Sequence, residues 1–302
     1  MFKSKNGMSR ALVRRETTAG YLFLLPSLFF FVTFVLYPMF LCIYTSFFDS
    51  NMGKNAVDVF VGLGNYKELF QDKLFLGALK NTVLIVVVAV PTVCAFSLWV
   101  ATAIYDMKPA LTSAFRCIFY LPVVTGSVAV TVVWKWMYNN RYGVFNYLFK
   151  SLGIIDQNIN WLGDARFALW CIILILFTTS VGQPIVLYVS ALGNVDHSLV
   201  EAAEVDGANR RQVFWKIKWA QIMPTTLYIL IITTINSFQC FALIQLLTSG
   251  GPTHSTDTIM YYIYYTAFKL YRYGYGNAMG VVLMVIIAVL SAVQFKLGQR
   301  SD

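Results

Sequence analysis

Charged side chains that could do chemistry are concentrated in one stretch of this chain, although only 12% of its 302 residues are charged. The stretch contains Asp196, Glu201, Glu204, Asp206, Arg210, Arg211, Lys216 and Lys218. Glu201 and Glu204 are the residue types of an acid–base pair. No Ser/His or His/Glu set accompanies them in the apolar segments, so we do not expect an enzyme. The five cysteines and two histidines show no metal-ligand spacing, and neither a metal nor a cofactor is expected.

A second group of residues consists of polar and aromatic side chains inside long apolar runs. Polar groups are costly in hydrocarbon, so they mark candidate solute paths, where amides bond to sugar hydroxyls and aromatic rings stack on sugar rings. The candidates are Gln183, Asn236, Ser237, Gln239 and Gln245, with Trp134 and Tyr188 as stacking platforms. Two alternatives stay open. An amide in a span also bonds to a neighbouring helix, and a tryptophan near a span end also belongs to an interfacial belt.

The elements that must position these residues are membrane helices. The chain is 58% hydrophobic, which is more than one water-soluble core can bury, and about 20 apolar residues cross a hydrocarbon core. We therefore predict an all-α integral membrane protein with six transmembrane helices. The predicted spans are 20–47, 81–105, 114–138, 167–191, 225–247 and 277–297.

The distribution of basic residues predicts the orientation. Of the 23 Lys and Arg, 13 lie on the side of the two termini and 10 on the side of the longer loops 48–80, 139–166 and 248–276. Because Lys and Arg accumulate on cytoplasmic loops, we expect both termini and the loop 192–224 in the cytoplasm. The same rule explains the net charge of +9 without nucleic acid. The predicted organisation is a basic N-terminal tail (1–19), one transmembrane domain (20–298) and a C-terminus (299–302).

The charged stretch must lie outside the hydrocarbon, because burying eight charges costs on the order of 20 kcal/mol. It still has helical signals. Ser198 and Glu201 fit a capping box, which predicts a short helix over 199–206 that stops at Gly207. A second helix is predicted from about Arg210, along the membrane surface, leading into the fifth span at Pro224.

Glu201-Ala202-Ala203, Gly207 and Ile217 resemble the EAA loop of permease subunits of ATP-binding-cassette importers. The runs FVGLGNYKELF (60–70), FYLPVVTGSVAVTVVWKWMYN (119–139) and LLTSGGPTHSTDTIMYYIYYTAF (246–268) resemble the carbohydrate branch of that family, of the maltose and glycerol-phosphate type. The resemblance covers nearly the entire chain. The chain departs from the family pattern in having Ala220 after the loop and Ala242 after the phenylalanine of the fifth span.

The resemblance implies a type I importer permease fold, with a cytoplasmic coupling helix between the fourth and fifth spans, in a bacterial cell membrane. The chain has no phosphate-binding loop of its own. The implied partners are an ATPase dimer, a second homologous permease, an extracellular or periplasmic solute-binding protein and the bilayer. The residues implied to dock to the ATPase are Glu201, Ala202, Ala203, Asp206, Gly207 and Ala208. The implied cargo is a sugar or oligosaccharide. An ion-coupled secondary transporter and an importer of a phosphorylated or otherwise anionic solute are the alternatives.

Overall fold

The computed structural model describes residues 10–50 and 58–299, which form a helical bundle with one short strand pair. The parts of the predicted tails at 1–9 and 300–302, and residues 51–57 of the predicted loop 48–80, lie outside the described residues. The helices are α1 Arg10–Phe31, α2 Tyr37–Thr45, α3 Gly64–Leu69, α4 Lys73–Ile104, α5 Pro109–Val124, α6 Ser127–Met137, α7 Val144–Ser151, α8 Ala168–Ser180, α9 Gly182–Gly193, α10 His197–Val205, α11 Arg210–Val213, α12 Trp219–Phe238, α13 Ala242–Leu247, α14 Ile259–Tyr264 and α15 Tyr273–Gln299. The π-helical segments Val32–Leu36, Phe214–Lys218 and Tyr265–Lys269 continue their neighbours, and β1 Phe48–Asp49 pairs antiparallel with β2 Val59–Phe60.

Five helical stretches among the described residues are long and apolar enough to cross a membrane, and a sixth qualifies if one bent pair counts as a single span. The five are Glu16–Thr45, Lys73–Ile104, Ala168–Gly193, Arg210–Leu247 and Tyr273–Gly298. They coincide with five of the predicted spans, because run length and hydropathy decide whether a helix fits the hydrocarbon. The ends differ: α1 begins at Arg10, inside the predicted tail, and α4 begins eight residues before the predicted second span.

The predicted third span, 114–138, is not one straight helix. The structure has α5 and α6 instead, bent by 95° between Val124 and Ser127. Thr125 is extended, so it ends α5, and Gly126 precedes the new helix. The prediction of an all-α chain is also incomplete, since Phe48 pairs with Phe60 in the loop after α2.

The centre of the bundle is α4, which packs against α9 and α12. Fully buried side chains such as Val93, Ile185 and Ile229 fill this contact. Burying a large aliphatic side chain contributes about 1.5–3 kcal/mol, and close packing adds dispersion. By contrast, the apolar window of the first span has no buried residue, although its last part, α2, packs against α15.

Partly buried polar side chains organise the loops at the end of the bundle where α4 begins. Asp72 caps α4 by accepting from the Leu74 amide at 2.8 Å, and it also accepts from the Tyr262 hydroxyl at 2.7 Å. Asn81 donates to the carbonyls of Ser255 and Asp257, both at 3.0 Å. These contacts join the start of α4 to α14 and to the loop 248–258, so this end of the bundle is held by specific hydrogen bonds.

The loop after α6 is organised by Asn146, which is buried. Its amide donates to the Ile159 carbonyl at 3.0 Å, while its oxygen accepts from the Ile159 amide at 3.1 Å and from the Trp161 indole at 3.0 Å. One side chain thus satisfies the polar groups of a returning loop, as burial requires.

Candidate functional site

A polar cavity of about 150 Å³ lies between α5, the junction of α8 and α9, and α12. Two of the residues predicted for the solute path, Gln183 and Asn236, line it together. The complete lining is Val123, Thr179, Ser180, Gln183, Pro184, Leu187, Tyr228, Ile229, Ile232, Thr233 and Asn236. The lining contains amides, hydroxyls and aliphatic groups, and no Asp, Glu, Lys, Arg or His. It therefore offers hydrogen bonds without a formal charge.

Close contact between helices positions this lining. Gly182 lies against the backbone of α5, where an added Cβ would meet the Phe119 carbonyl oxygen and would lie 2.8 Å from a methyl carbon of Val123. The absence of a side chain at Gly182 lets α9 approach α5. Its neighbour Gln183 and the facing residue Val123 consequently both reach the cavity.

The other predicted path residues lie outside this cavity. Tyr188 is fully buried in the core around α4, α9 and α12, and Ser237 is also buried. Gln239 is exposed at the end of α12, and Gln245 is partly buried in α13. Contact of these residues with solute stays a prediction.

Trp134, the remaining candidate platform, belongs to an aromatic stack. Its ring lies 5.6 Å from that of Tyr138 and 6.0 Å from that of Phe145, both in stacked orientation. These neighbours pack against its ring, in a cluster that joins α6 to α7. Its contact with solute also stays a prediction.

The charged stretch contains the short helix α10, whose N-terminal cap differs from the predicted one. Asp196 is the cap: its carboxylate accepts from the Ser198 amide at 2.9 Å and from the Ser198 hydroxyl at 2.7 Å. These bonds lower the pKa of Asp196. The predicted capping box of Ser198 and Glu201 is wrong because Ser198 lies inside the helix and donates to Asp196. The Asp196 amide in turn donates to the Gln221 side chain at 3.0 Å, which ties the helix start to α12.

The end of α10 matches the prediction. Gly207 has a φ of 81°, its amide bonds to the Glu204 carbonyl at 3.0 Å, and the Ala208 amide bonds to the Ala203 carbonyl at 2.9 Å. This is the Schellman arrangement, which satisfies the last carbonyls of a helix and reverses the chain. Glu201, Ala202, Asp206 and Gly207 are exposed, and Ala203 and Ala208 are partly so. The turn therefore presents a small-residue surface.

The second predicted helix exists, but it is not a separate surface helix. Asn209 and Gln212 form a capping box, at 3.0 and 2.8 Å, that starts α11 at Arg210. The chain then stays helical through the π-helical segment Phe214–Lys218 and past Pro224 into α12. Pro224 lies inside α12, so the charged residues occupy the first turns of the same continuous helix.

The chain matches the family described as binding-protein-dependent transport system inner membrane component, over residues 73–302. That range covers both the cavity and the charged stretch. The chain belongs to this family. It is therefore an inner-membrane permease subunit of an ATP-binding-cassette importer.

Named relatives and a solved structure agree with this assignment. The permease is 32% identical to the lactose transport system permease protein LacF of Rhizobium radiobacter, over 94% of this chain and 95% of the relative. It is 28% identical to the sn-glycerol-3-phosphate transport system permease protein UgpA of Agrobacterium fabrum, over 93% and 94%. A crystal structure of a bacterial alginate ABC transporter, in complex with an alginate pentasaccharide-bound periplasmic protein, has a chain that matches with a TM-score of 0.82. At 24% identity, covering 95% of the permease and 96% of that chain, it shows a shared fold.

Several hydroxyl residues of the cavity were missed by sequence reasoning, namely Thr179, Ser180, Tyr228 and Thr233. For two of them, the spacing in the sequence could have indicated a place in the cavity. Thr179 lies four residues before Gln183 and Thr233 three residues before Asn236, so each shares a helix face with a predicted amide. Hydroxyls in apolar helices bond to their own backbone, as Thr179 does to the Ile175 carbonyl at 3.0 Å, and so they stand out less than amides.

Proposed function

We propose that this permease forms, with a second homologous permease, the pathway for a sugar or oligosaccharide that a solute-binding protein delivers. The observation that carries the proposal is the uncharged polar cavity between α5, α9 and α12. Gln183 and Asn236 supply amide donors and acceptors, and Tyr228, half exposed, adds an aromatic face beside them. Sugar hydroxyls need such mixed donors and acceptors. The names of LacF and of the alginate transporter refer to carbohydrates, which supports the same class of solute.

The two alternatives are less well supported by the cavity. An anionic solute, which the name of UgpA and the acidic polysaccharide alginate make relevant, calls for cationic side chains, and the cavity lining has none. Ion coupling calls for ionisable groups within the membrane, and the same lining has no carboxylate or histidine. A neutral solute is therefore favoured.

We also propose that α10 docks into a groove of the ATPase, with Glu201 facing a basic residue there. The exposed surface of Glu201, Ala202 and Asp206 supports this role. The hydrogen bond from Asp196 to Gln221 couples α10 to α12. At 1.5 Å per residue, the 15 residues from Gln221 to Asn236 span about 22 Å, so a displaced α10 would act on the cavity through one continuous helix.

The proposed orientation follows from docking: residues 192–224 and both termini are cytoplasmic, in a multi-pass arrangement with one domain over 20–298. The solute-binding protein would then contact the opposite end, where the loops after α2, α6 and α13 meet. The ordered contacts of Asp72, Asn81 and Asn146 support a defined surface at that end.

Charge reversal tests the docking. Glu201→Lys should abolish co-purification with the ATPase, because breaking one side of a partly buried ion pair costs about 3–5 kcal/mol, or more than a hundredfold in affinity. Glu16→Lys is the matched control, an exposed carboxylate on α1 outside the charged stretch. We expect solute uptake and its coupling to ATP hydrolysis to fail only in Glu201→Lys. Wild-type uptake by that variant would refute the docking role.

Uptake by the complete transporter in proteoliposomes tests the solute class. Neutral oligosaccharides should be imported and glycerol phosphate should not. Gln183→Leu and Asn236→Leu should each lower uptake about tenfold, the effect of losing one buried hydrogen bond of about 1.5 kcal/mol. Asn194→Leu, which changes an exposed amide at the end of α9 and outside the cavity, is the control. Import of anionic solutes alone would overturn the assignment of a neutral sugar and leave the family assignment intact.

A further inference from the structure

A second cleft, of about 630 Å³, lies where the end of α4 meets the start of α11. Its charged lining consists of three cations and two carboxylates. The complete lining is Thr102, Tyr105, Asp106, Glu204, Arg210, Arg211, Val213, Phe214, Trp215 and Lys218. The solute cavity has no charged group, so the two sites differ in the chemistry they can bind.

The cations of this cleft are not neutralised by carboxylates. Among residues 10–50 and 58–299, neither Arg210, Arg211 nor Lys218 forms an ion pair. The Lys218 ammonium instead contacts the Tyr105 hydroxyl and lies 4.6 Å from the centre of the Tyr105 ring. An ammonium that donates to one hydroxyl keeps two further donors available for an anion.

The position of the cleft along the helix places it at the membrane boundary. The 20 residues of α12, Trp219–Phe238, span about 30 Å, which is the thickness of the hydrocarbon core. Lys218 immediately precedes this span. Trp215 is 59% exposed and its ring lies 5.5 Å from that of Trp219, an arrangement typical of the headgroup level. Lipid phosphates occupy this level.

We propose that this cleft binds the headgroup of an anionic phospholipid whose phosphate carries a hydroxylated alcohol, such as phosphatidylglycerol. Arg211 and Lys218 donate to the phosphate. Asp106 and Glu204 accept hydrogen bonds from the headgroup hydroxyls, which explains carboxylates in a cationic cleft. Trp215 lies beside the glycerol backbone at the edge of the bilayer.

The lipid would join two elements that the proposed function moves. Tyr105 ends α4, whereas Lys218 lies on the helix that runs from the charged stretch to the solute cavity. An occupied cleft therefore holds these helix ends together, and transport should depend on the anionic fraction of the membrane. The lipid-binding proposal itself does not depend on the identity of the solute.

Lipid titration of the purified full-length chain by native mass spectrometry tests the proposal. The wild type should bind phosphatidylglycerol at least tenfold more tightly than phosphatidylcholine. Arg211→Gln combined with Lys218→Gln should bind phosphatidylglycerol about 30-fold more weakly, since each cation near an anionic headgroup contributes about fivefold. Arg141→Gln combined with Lys150→Gln removes two cations that line a surface pocket in the loop region after α6, and should leave binding unchanged.

Further measurements distinguish a bound lipid from a free phosphate and from a protein partner in this cleft. Glycerol phosphate or inorganic phosphate at millimolar concentration should not displace the lipid; displacement at equal affinity would overturn the lipid assignment. Loss of ATPase co-purification in the Arg211/Lys218 variant, with unchanged lipid binding, would identify a protein contact and also overturn it. The single variant Arg211→Gln changes an exposed side chain and should leave the melting temperature unchanged. Weaker lipid binding by this variant would support the site even if the double variant unfolds.

Discussion

Replacement of Gly182 by alanine tests the contact that shapes the solute cavity. An added Cβ would lie 2.8 Å from the Val123 methyl carbon and 3.0 Å from the Phe119 carbonyl carbon, with the Phe119 oxygen nearer still. Carbon atoms pack best at about 3.5–4.0 Å, so α5 and α9 must separate by about half an ångström or more. The Phe119 atoms are backbone and cannot rotate away. Overpacking of this kind costs about 1–3 kcal/mol.

Thermal unfolding of the purified permease measures this cost. At about 2–4 °C per kcal/mol, or less for a longer chain, Gly182→Ala should lower the melting temperature by a few degrees. Uptake should fall as well, because both Val123 and Gln183 line the cavity. Gly77→Ala is the matched control: Gly77 is helical and no atom lies within 4 Å of its added Cβ. Alanine is favoured over glycine in helices by about 1 kcal/mol, so Gly77→Ala should melt at or above the wild type.

The outcome that refutes this reasoning is specific. If Gly182→Ala melts as high as Gly77→Ala and transports normally, then α5 and α9 are not in close contact at Gly182. A loss of uptake without a loss of stability would instead show that the cavity is more sensitive than the packing around it.

Two further predictions concern the loop that joins α13 to α14. Thr82 donates to the Ala78 carbonyl at 2.8 Å and accepts from the Ile259 amide at 2.9 Å, so Thr82→Val should cost about 1–3 kcal/mol by leaving that amide unpaired. Thr92→Val, at an exposed site bonded only within its own helix, should cost less in the same thermal assay. Burial raises the pKa of Asp257, and His254, whose ring nitrogen lies 2.7 Å from the carboxylate, opposes this shift. The protonated Asp257 carboxyl therefore contributes fully to stability below the ordinary carboxyl pKa, and this contribution is lost as the pH rises through the raised pKa. Asp257→Asn cannot ionise, so its melting temperature relative to wild type should increase between about pH 4 and pH 7, and a pH-independent difference would contradict this assignment.

The positions of the spans were predictable because they depend on local composition. A helix in hydrocarbon must satisfy its own backbone and must be about 20 apolar residues long, and five runs of the sequence meet both conditions. The end of α10 was predictable for a similar reason. The residue after a helix often adopts the left-handed conformation, which favours glycine, and Gly207 occupies that position.

The N-terminal cap of α10 shows why local rules can select the wrong residue. Both Asp196 and Ser198 are good capping residues, and Ser198 also fits the capping box with Glu201. The structure selects Asp196, whose amide bonds to Gln221, 25 residues away. A contact between distant segments thus decided between two acceptable local solutions.

The amino-acid sequence by itself determined the class of protein, five of the six spans, the end of α10 and the polar residues worth considering, because each follows from hydropathy or from a few neighbouring residues. Only the tertiary structure decided that the third span breaks, where α6 turns away to pack against α13. Only the tertiary structure, likewise, joined Gln183 to Asn236, which are 53 positions apart, because the packing of α5, α9 and α12 creates the cavity. A single segment specifies its own helix, but a cavity exists only between helices.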